Sequence, residues 1–345
     1  MTKKKKIIIG ALILLLCIAA GSFLYYKMAA PPGEEWLAYH NEELISNIDS
    51  QLSGLDIESI VQKKEKLVIE KEIADIQNAI KDGSLTYEEL TAICLYRIKT
   101  LDQNEHGLNS VLTINPNAME EARQKDAERK SRTENPSDIF GIPVLLKDNI
   151  NTAGIPTSAG AAALADFIPA KDADLAANLK NCGAIILGKN NLSELAGYMS
   201  SIAPAGYSNV KGQTISPFGP LKISASGSSS GSAVSVTANL TPASIGTETD
   251  GSITAPASAG STRSTVSATG ILPLIRQIDT PGPIAKSVQD AAVVYNAMSG
   301  QSLNPEWDKD YLQGKTIGLA SYEYNDKTQV SILRCSRMQG QKSLI

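Results

Sequence analysis

Hydrophobic and polar positions along the 345-residue chain fall into three regimes. First, Lys3–Lys6 precede Ile7–Tyr26, twenty residues without a charge. A bilayer core takes about 20 apolar residues as helix, whereas a cleavable signal core is about 7–15. Length therefore favours an uncleaved transmembrane anchor over residues 1–30, with the lysines cytoplasmic and the body outside. The alternative is a long signal peptide cut near Ala19-Ala20-Gly21. A lipoprotein reading is poorer, because Leu14-Leu15-Leu16 before Cys17 lacks the small residue expected next to the cysteine. Second, residues 31–68 are polar, with modest helical spacing at Leu44, Ile48 and Leu52. They read as a spacer or membrane-proximal helix without a core of its own.

The third regime, residues 69–345, is patterned as a globular domain. Ile73, Ile76 and Ile80 predict a helix that stops at Gly83. Thr86 with Glu89 three residues on is a capping box. The helix behind it, to about Leu101, puts Leu90, Ile93, Cys94 and Ile98 on one stripe. A short strand at Ser110–Thr113 and a helix over 117–130 follow. Ile139–Leu146 reads as a buried strand ending on Lys147. Leu175–Cys182 reads as helix and Ala184–Leu187 as strand, with Gly183 between them. Strands alternating with helices indicate an α/β layered domain with a mixed or parallel sheet.

Composition narrows the function classes. A net charge of −4 and a pI near 5.4 argue against nucleic acid as a partner, since phosphate binding needs concentrated Lys/Arg. The four cysteines are scattered without metal-type spacing, and there are only two histidines, His40 and His106. A zinc or iron site is not expected. Cys94 and Cys182 sit in apolar helical patterns and read as packing.

Candidate chemistry lies in two serine clusters, Ser226–Ser232 and Gly246–Ser252, separated by an Ala/Val stretch long enough for about three helical turns. Upstream, Lys147 directly follows an apolar run. Serine chemistry can use a lysine base in place of histidine. Read alone, Lys147 would be a snorkelling lysine and Ser252 a solvent-exposed turn serine.

Six ordered blocks change that reading: GIPVLLKDNINTAGIPTSAG, GAIILGKNNLSELA, GYSNVKGQT, SGSSSGSA, GTETDGSI and DTPGPIAKSV. Together they resemble the amidase signature family over roughly Ile69–Lys286. The resemblance implies a twisted mixed β-sheet flanked by α-helices, preceded here by the membrane-anchor helix. It implies a Ser–Ser–Lys triad that cleaves amide C–N bonds through an acyl-enzyme, without a cofactor. Lys147 matches the base, Ser252 the nucleophile, and Ser228, 24 residues earlier, the relay. The family holds the relay serine in a cis peptide. Ser229 and Ser230 are local rivals of Ser228, and motif register is the reason to prefer it. The turn before Ser252 is expected to aim the backbone N–H groups of Thr249, Asp250, Gly251 and Ser252 at an oxyanion.

The chain also departs from the family pattern. Asp250 stands where the motif commonly has glycine, and Thr254 where it often has arginine. Residues 259–270 are short and poor in large apolar side chains, so a core strand is expected to be missing there. Family domains run beyond this chain's C-terminus, so the domain is expected to be incomplete. The partner implied is a small-molecule or peptide amide, with the membrane as a second partner; oligomeric state is left open. Four readings compete: a membrane-anchored extracytoplasmic amidohydrolase, the amidase-like subunit of the tRNA-dependent amidotransferase, a non-catalytic family remnant, and an accessory binding protein on the membrane face that uses the fold as a scaffold.

Overall fold

A computed structural model describes residues 3–29, 33–131, 137–198, 200, 202–257, 266–301, 316–321 and 329–334. Contacts divide the chain into two units, Met1–Gln301 and Ser302–Ile345.

The centre of the first unit is β2 (Pro143–Lys147), with every residue buried. Its apolar run suits a strand covered on both faces. It pairs in parallel with β3 (Ile185–Asn190) and with β6 (Ala243–Glu248), so that Lys147 lies opposite Asn190 and Leu146 opposite Ile245. Antiparallel edges complete the sheet: β1 (Val111–Ile114) beside β3, and β7 (Thr280–Ala285) beside β6. The order β1-β3-β2-β6-β7 is the mixed sheet that the sequence implied. A small hairpin of β4 (Tyr207–Ser208) and β5 (Gly212–Gln213) stands apart from it.

Helices pack around this sheet. α4 (Ile73–Lys81) and α5 (Tyr87–Arg97) follow the expected spacing, and the Thr86/Glu89 capping box is formed at both bonds. The stripe through Ile98 continues as a single π turn, Ile98–Asp102. α6 (Ala118–Ser131) and α7 (Asp174–Asn181) pack on β3, while α8 (Ser230–Thr237) packs on β6 and β2. α8 has eight residues, shorter than the three turns expected. α9 (Thr254–Ala257) is a single turn, and α10 (Val288–Ser299) packs on α7 and β7.

The apolar residues of the polar segment after residue 31 join the main core. α2 (Asn41–Leu52) buries Leu44, Ile48 and Leu52 there, and α3 (Ile57–Lys64) follows it.

The N-terminal element is α1 (Lys3–Ala29), a continuous helix. Among the described residues no helix is long and apolar enough to cross a membrane. The anchor expected over Ile7–Tyr26 is therefore not part of the architecture found. A span takes about 20 consecutive apolar residues. Part of the expected anchor falls outside the described residues.

Of the segment expected to lack a strand, residues 259–265 lie outside the described residues. The remainder, 266–270, is irregular, with the Gly270 carbonyl accepting from Asn151 N–H. The second unit contains an antiparallel pair, β8 (Thr316–Ser321) with β9 (Gln329–Arg334).

Candidate active site

Lys147 terminates β2 inside the protein, with no exposed surface. Its Nζ donates to Ser228 Oγ at 2.7 Å and to the Thr247 carbonyl at 3.1 Å. Burial lowers its pKa to about 7, while the carboxylates of Asp279 and then Glu248 pull back upward. A buried ammonium is disfavoured, so a substantial share of Lys147 is neutral at neutral pH.

The structure separates the three serines that sequence left as rivals. Ser228, joined to Gly227 by a cis peptide, is the one whose hydroxyl Lys147 reaches. Ser229 is tied to β6, donating to the Thr247 carbonyl and accepting from its N–H. Ser230 Oγ is buried without a hydrogen-bond partner among the described residues.

After β6 the chain turns through 249–253 into α9, with Gly251 at φ +80° where a side chain would be strained. Ser252 is buried in this turn, and its carbonyl accepts from Ser229 N–H at 3.0 Å. Among the described residues no hydrogen bond joins the Ser252 and Ser228 hydroxyls. The lysine-to-serine half of the expected relay is therefore closed and the serine-to-serine half is open.

Two carboxylates that sequence reasoning left without a role brace this turn. Glu248 Oε1 accepts from Gly251 N–H and Thr254 Oγ, each at 3.1 Å, and Oε2 accepts from Ile253 and Thr254 N–H at 2.6 and 2.7 Å. Burial works against the Glu248 carboxylate, but the donors at Thr254, Ile253 and Gly251 outweigh it and hold its pKa below the usual range. At the other end, Thr249 Oγ donates to Asp279 Oδ1 at 2.5 Å, while Asp279 also accepts from the N–H groups of Leu274 and Ile275. The expected set of oxyanion donors narrows accordingly. Gly251 N–H is engaged by Glu248, whereas no hydrogen bond among the described residues engages those of Thr249, Asp250 and Ser252. Both acids sat in the quoted blocks; an acid four residues before a candidate nucleophile was the available signal.

The loop behind Lys147 is held by a buried ion pair, Asp148 with Lys189 at 3.6 Å. Lys189 also donates to the Ile150 carbonyl and Thr157 Oγ, while Asp148 Oδ2 accepts from Ser158 and Gly160. Burial pushes Asp148 up and Lys189 down to about 8. Asn149 Nδ2 then bridges to Thr247 Oγ at 3.0 Å. Among the described residues no cluster of His, Cys, Asp or Glu could hold a metal.

A buried lysine on a serine, beside a serine turn, invites comparison with known proteins. Residues 89–339 match the amidase family. This chain belongs to it. A probable amidase of Arabidopsis thaliana is 40% identical over 240 residues, 67% of this chain and 46% of that one. A glutamyl-tRNA(Gln) amidotransferase subunit of Nitrosococcus oceani is 37% identical, covering 67% of this chain and 47% of its own. Among solved structures, an amidase family protein of Bacillus anthracis superposes with a TM-score of 0.75 at 48% identity, over 79% of this chain and 55% of that one. The peptide amidase of Stenotrophomonas maltophilia gives 0.64 at 44% identity, over 68% and 49%. This amidase-family chain thus spans about half the length of the relatives it matches. Its mixed sheet with flanking helices is the architecture they share.

Proposed function

We propose that the chain hydrolyses carboxylic amides through Lys147, Ser228 and Ser252. Neutral Lys147 takes the Ser228 hydroxyl proton as Ser228 Oγ takes that of Ser252. Ser252 Oγ bonds to the amide carbon, and the carbonyl π pair moves to oxygen, facing the N–H groups of Thr249, Asp250 and Ser252. The pair returns, the C–N bond breaks, and the relayed proton leaves with the amine. Water then enters the acyl-enzyme by the same relay, releasing the acid and restoring Ser252. The supporting observation is the 2.7 Å bond from a fully buried lysine to Ser228. Attack requires the Ser252 hydroxyl to hydrogen-bond to Ser228 Oγ. The test is release of aniline from a simple aryl amide by the purified chain. Turnover that disappears in Ser252→Ala supports the proposal, and undiminished turnover in that variant contradicts it.

The amidotransferase relatives favour a second reading, in which the same triad frees ammonia from glutamine beside partner proteins. Turnover of glutamine only when such partners are added would select it. Absence of both activities would select the non-catalytic remnant. For localisation we propose an extracytoplasmic catalytic domain, supported by Lys3–Lys6 ahead of the uncharged Ile7–Tyr26. Against it stands the lack, among the described residues, of a helix long and apolar enough to cross a membrane.

A further inference from the structure

Beside the nucleophile turn lies a cleft of about 300 Å3, walled by Leu195, Tyr198, Leu272, Pro273, Leu274 and Asn149. Asn149 and Leu274 also line a smaller recess against Thr247, Thr249 and Asp279, so the cleft neighbours the turn that carries Ser252. Three of its lining residues hold left-handed backbone without being glycine: Ala159 at φ 50°, Leu195 at 48° and Ala196 at 60°. Such conformations are strained and persist where surrounding structure enforces them. Here the Leu195 N–H donates to the Ala159 carbonyl at 2.8 Å and locks the two strained segments together.

Asn149 is 4% exposed, and its Nδ2 is bonded to Thr247 Oγ and the Leu272 carbonyl. Among the described residues its Oδ1 has no hydrogen-bond partner. An unpaired buried acceptor is unfavourable, a deficit that a ligand N–H would make good. The cleft has no lysine or arginine among its described lining residues, and the charged side chain in the adjoining recess is the carboxylate of Asp279. An anionic group seated here would be desolvated, unpaired and repelled.

We infer that this cleft seats an uncharged apolar side chain of the amide substrate, while Asn149 Oδ1 accepts an N–H from the same molecule. The inference rests on the amide-hydrolase reading and narrows its substrates to neutral amides with leucine- or phenylalanine-like groups.

The test compares N-acetyl-phenylalaninamide, N-acetyl-leucinamide, N-acetyl-lysinamide and the α-amide of N-acetyl-glutamate. Binding is read by ligand-observed NMR and turnover by ammonia release. The apolar amides should exceed the glutamate amide by at least about tenfold in affinity and in kcat/KM. Leu272→Lys should move the preference toward the glutamate amide and Leu272→Asp toward lysinamide, an opposition that general damage to the fold would not produce. Equal binding of apolar and acidic amides, or variants that leave the preference in place, would overturn the inference. Turnover without side-chain preference would remove the cleft assignment and leave the hydrolase. Binding preference with the expected reversals but no turnover would keep the cleft and remove the hydrolase.

Discussion

Lys147 is held where a charged lysine is least at home. Its pKa falls from 10.5 to about 7 because it is buried, and its hydrogen bonds go to a hydroxyl and a carbonyl. As a base it must be neutral, so activity should fall on the acid side with a midpoint near pH 7. Lys147→Ala should reduce amide hydrolysis by several orders of magnitude, read as kcat/KM, since loss of a triad member leaves only binding and oxyanion effects. Asp279 and Glu248 both raise the Lys147 pKa. Asp279→Asn or Glu248→Gln should therefore move the acid limb to lower pH. A pH–rate profile checks both. The same shift affects stability. Between about pH 7 and 10.5 the unfolded lysine holds more protons than the folded one, so its contribution to stability rises with pH across that window. Lys147→Met should flatten that dependence and raise the melting temperature most at and below pH 7.

At the scale of elements, the sheet converts distant sequence into a site. β2 delivers Lys147, the turn before α8 delivers Ser228, and the turn after β6 delivers Ser252. α8 comes close because Gly231 lies against the carbonyl oxygens of Ser110 and Asn191; a Cβ there would sit 2.4 Å from each. Gly231→Ala should destabilise the protein by more than an ordinary surface change, about 1–3 kcal/mol in chemical denaturation. Thr86→Ala, which opens the capping box of α5, should cost about 1 kcal/mol in the same assay. Some of this was legible in the sequence. The apolar run before Lys147 marked a buried strand, and the Thr86/Glu89 spacing marked a helix start. Others were not. No strand was expected at β7, where Pro281 and Pro283 cannot donate to a ladder, yet both fit an edge strand. Leu44, Ile48 and Leu52 lie among charges, so their burial is set by where the rest of the core presents itself. The bracing by Glu248 and Asp279 depends on where a turn folds back, which spacing alone does not encode. Motif register did single out Ser228, and the structure places that serine on the lysine.

At the scale of the molecule, the N-terminal part is tied to the site's scaffold by polar contacts as well as by the core. Asn109 Nδ2 donates to the carbonyls of Leu37, Lys211 and Gln213, and Lys211 reaches Asn41 and Gln103. Ahead of it, Ile7–Tyr26 leads to a localisation test in two parts. Membrane placement predicts that the chain sediments with membranes and that added protease digests its body on intact cells. Recovery in the soluble fraction, or a protected body, would contradict the extracytoplasmic proposal. The central claim is that one buried lysine activates Ser252 through Ser228, and covalent labelling tests it most directly. Peptide mapping after reaction with a fluorophosphonate probe should find the adduct on Ser252, forming at a rate that rises with pH about a midpoint near 7 and is lost in Lys147→Ala. An adduct on another serine, or labelling of Ser252 that is unchanged without Lys147, would contradict it.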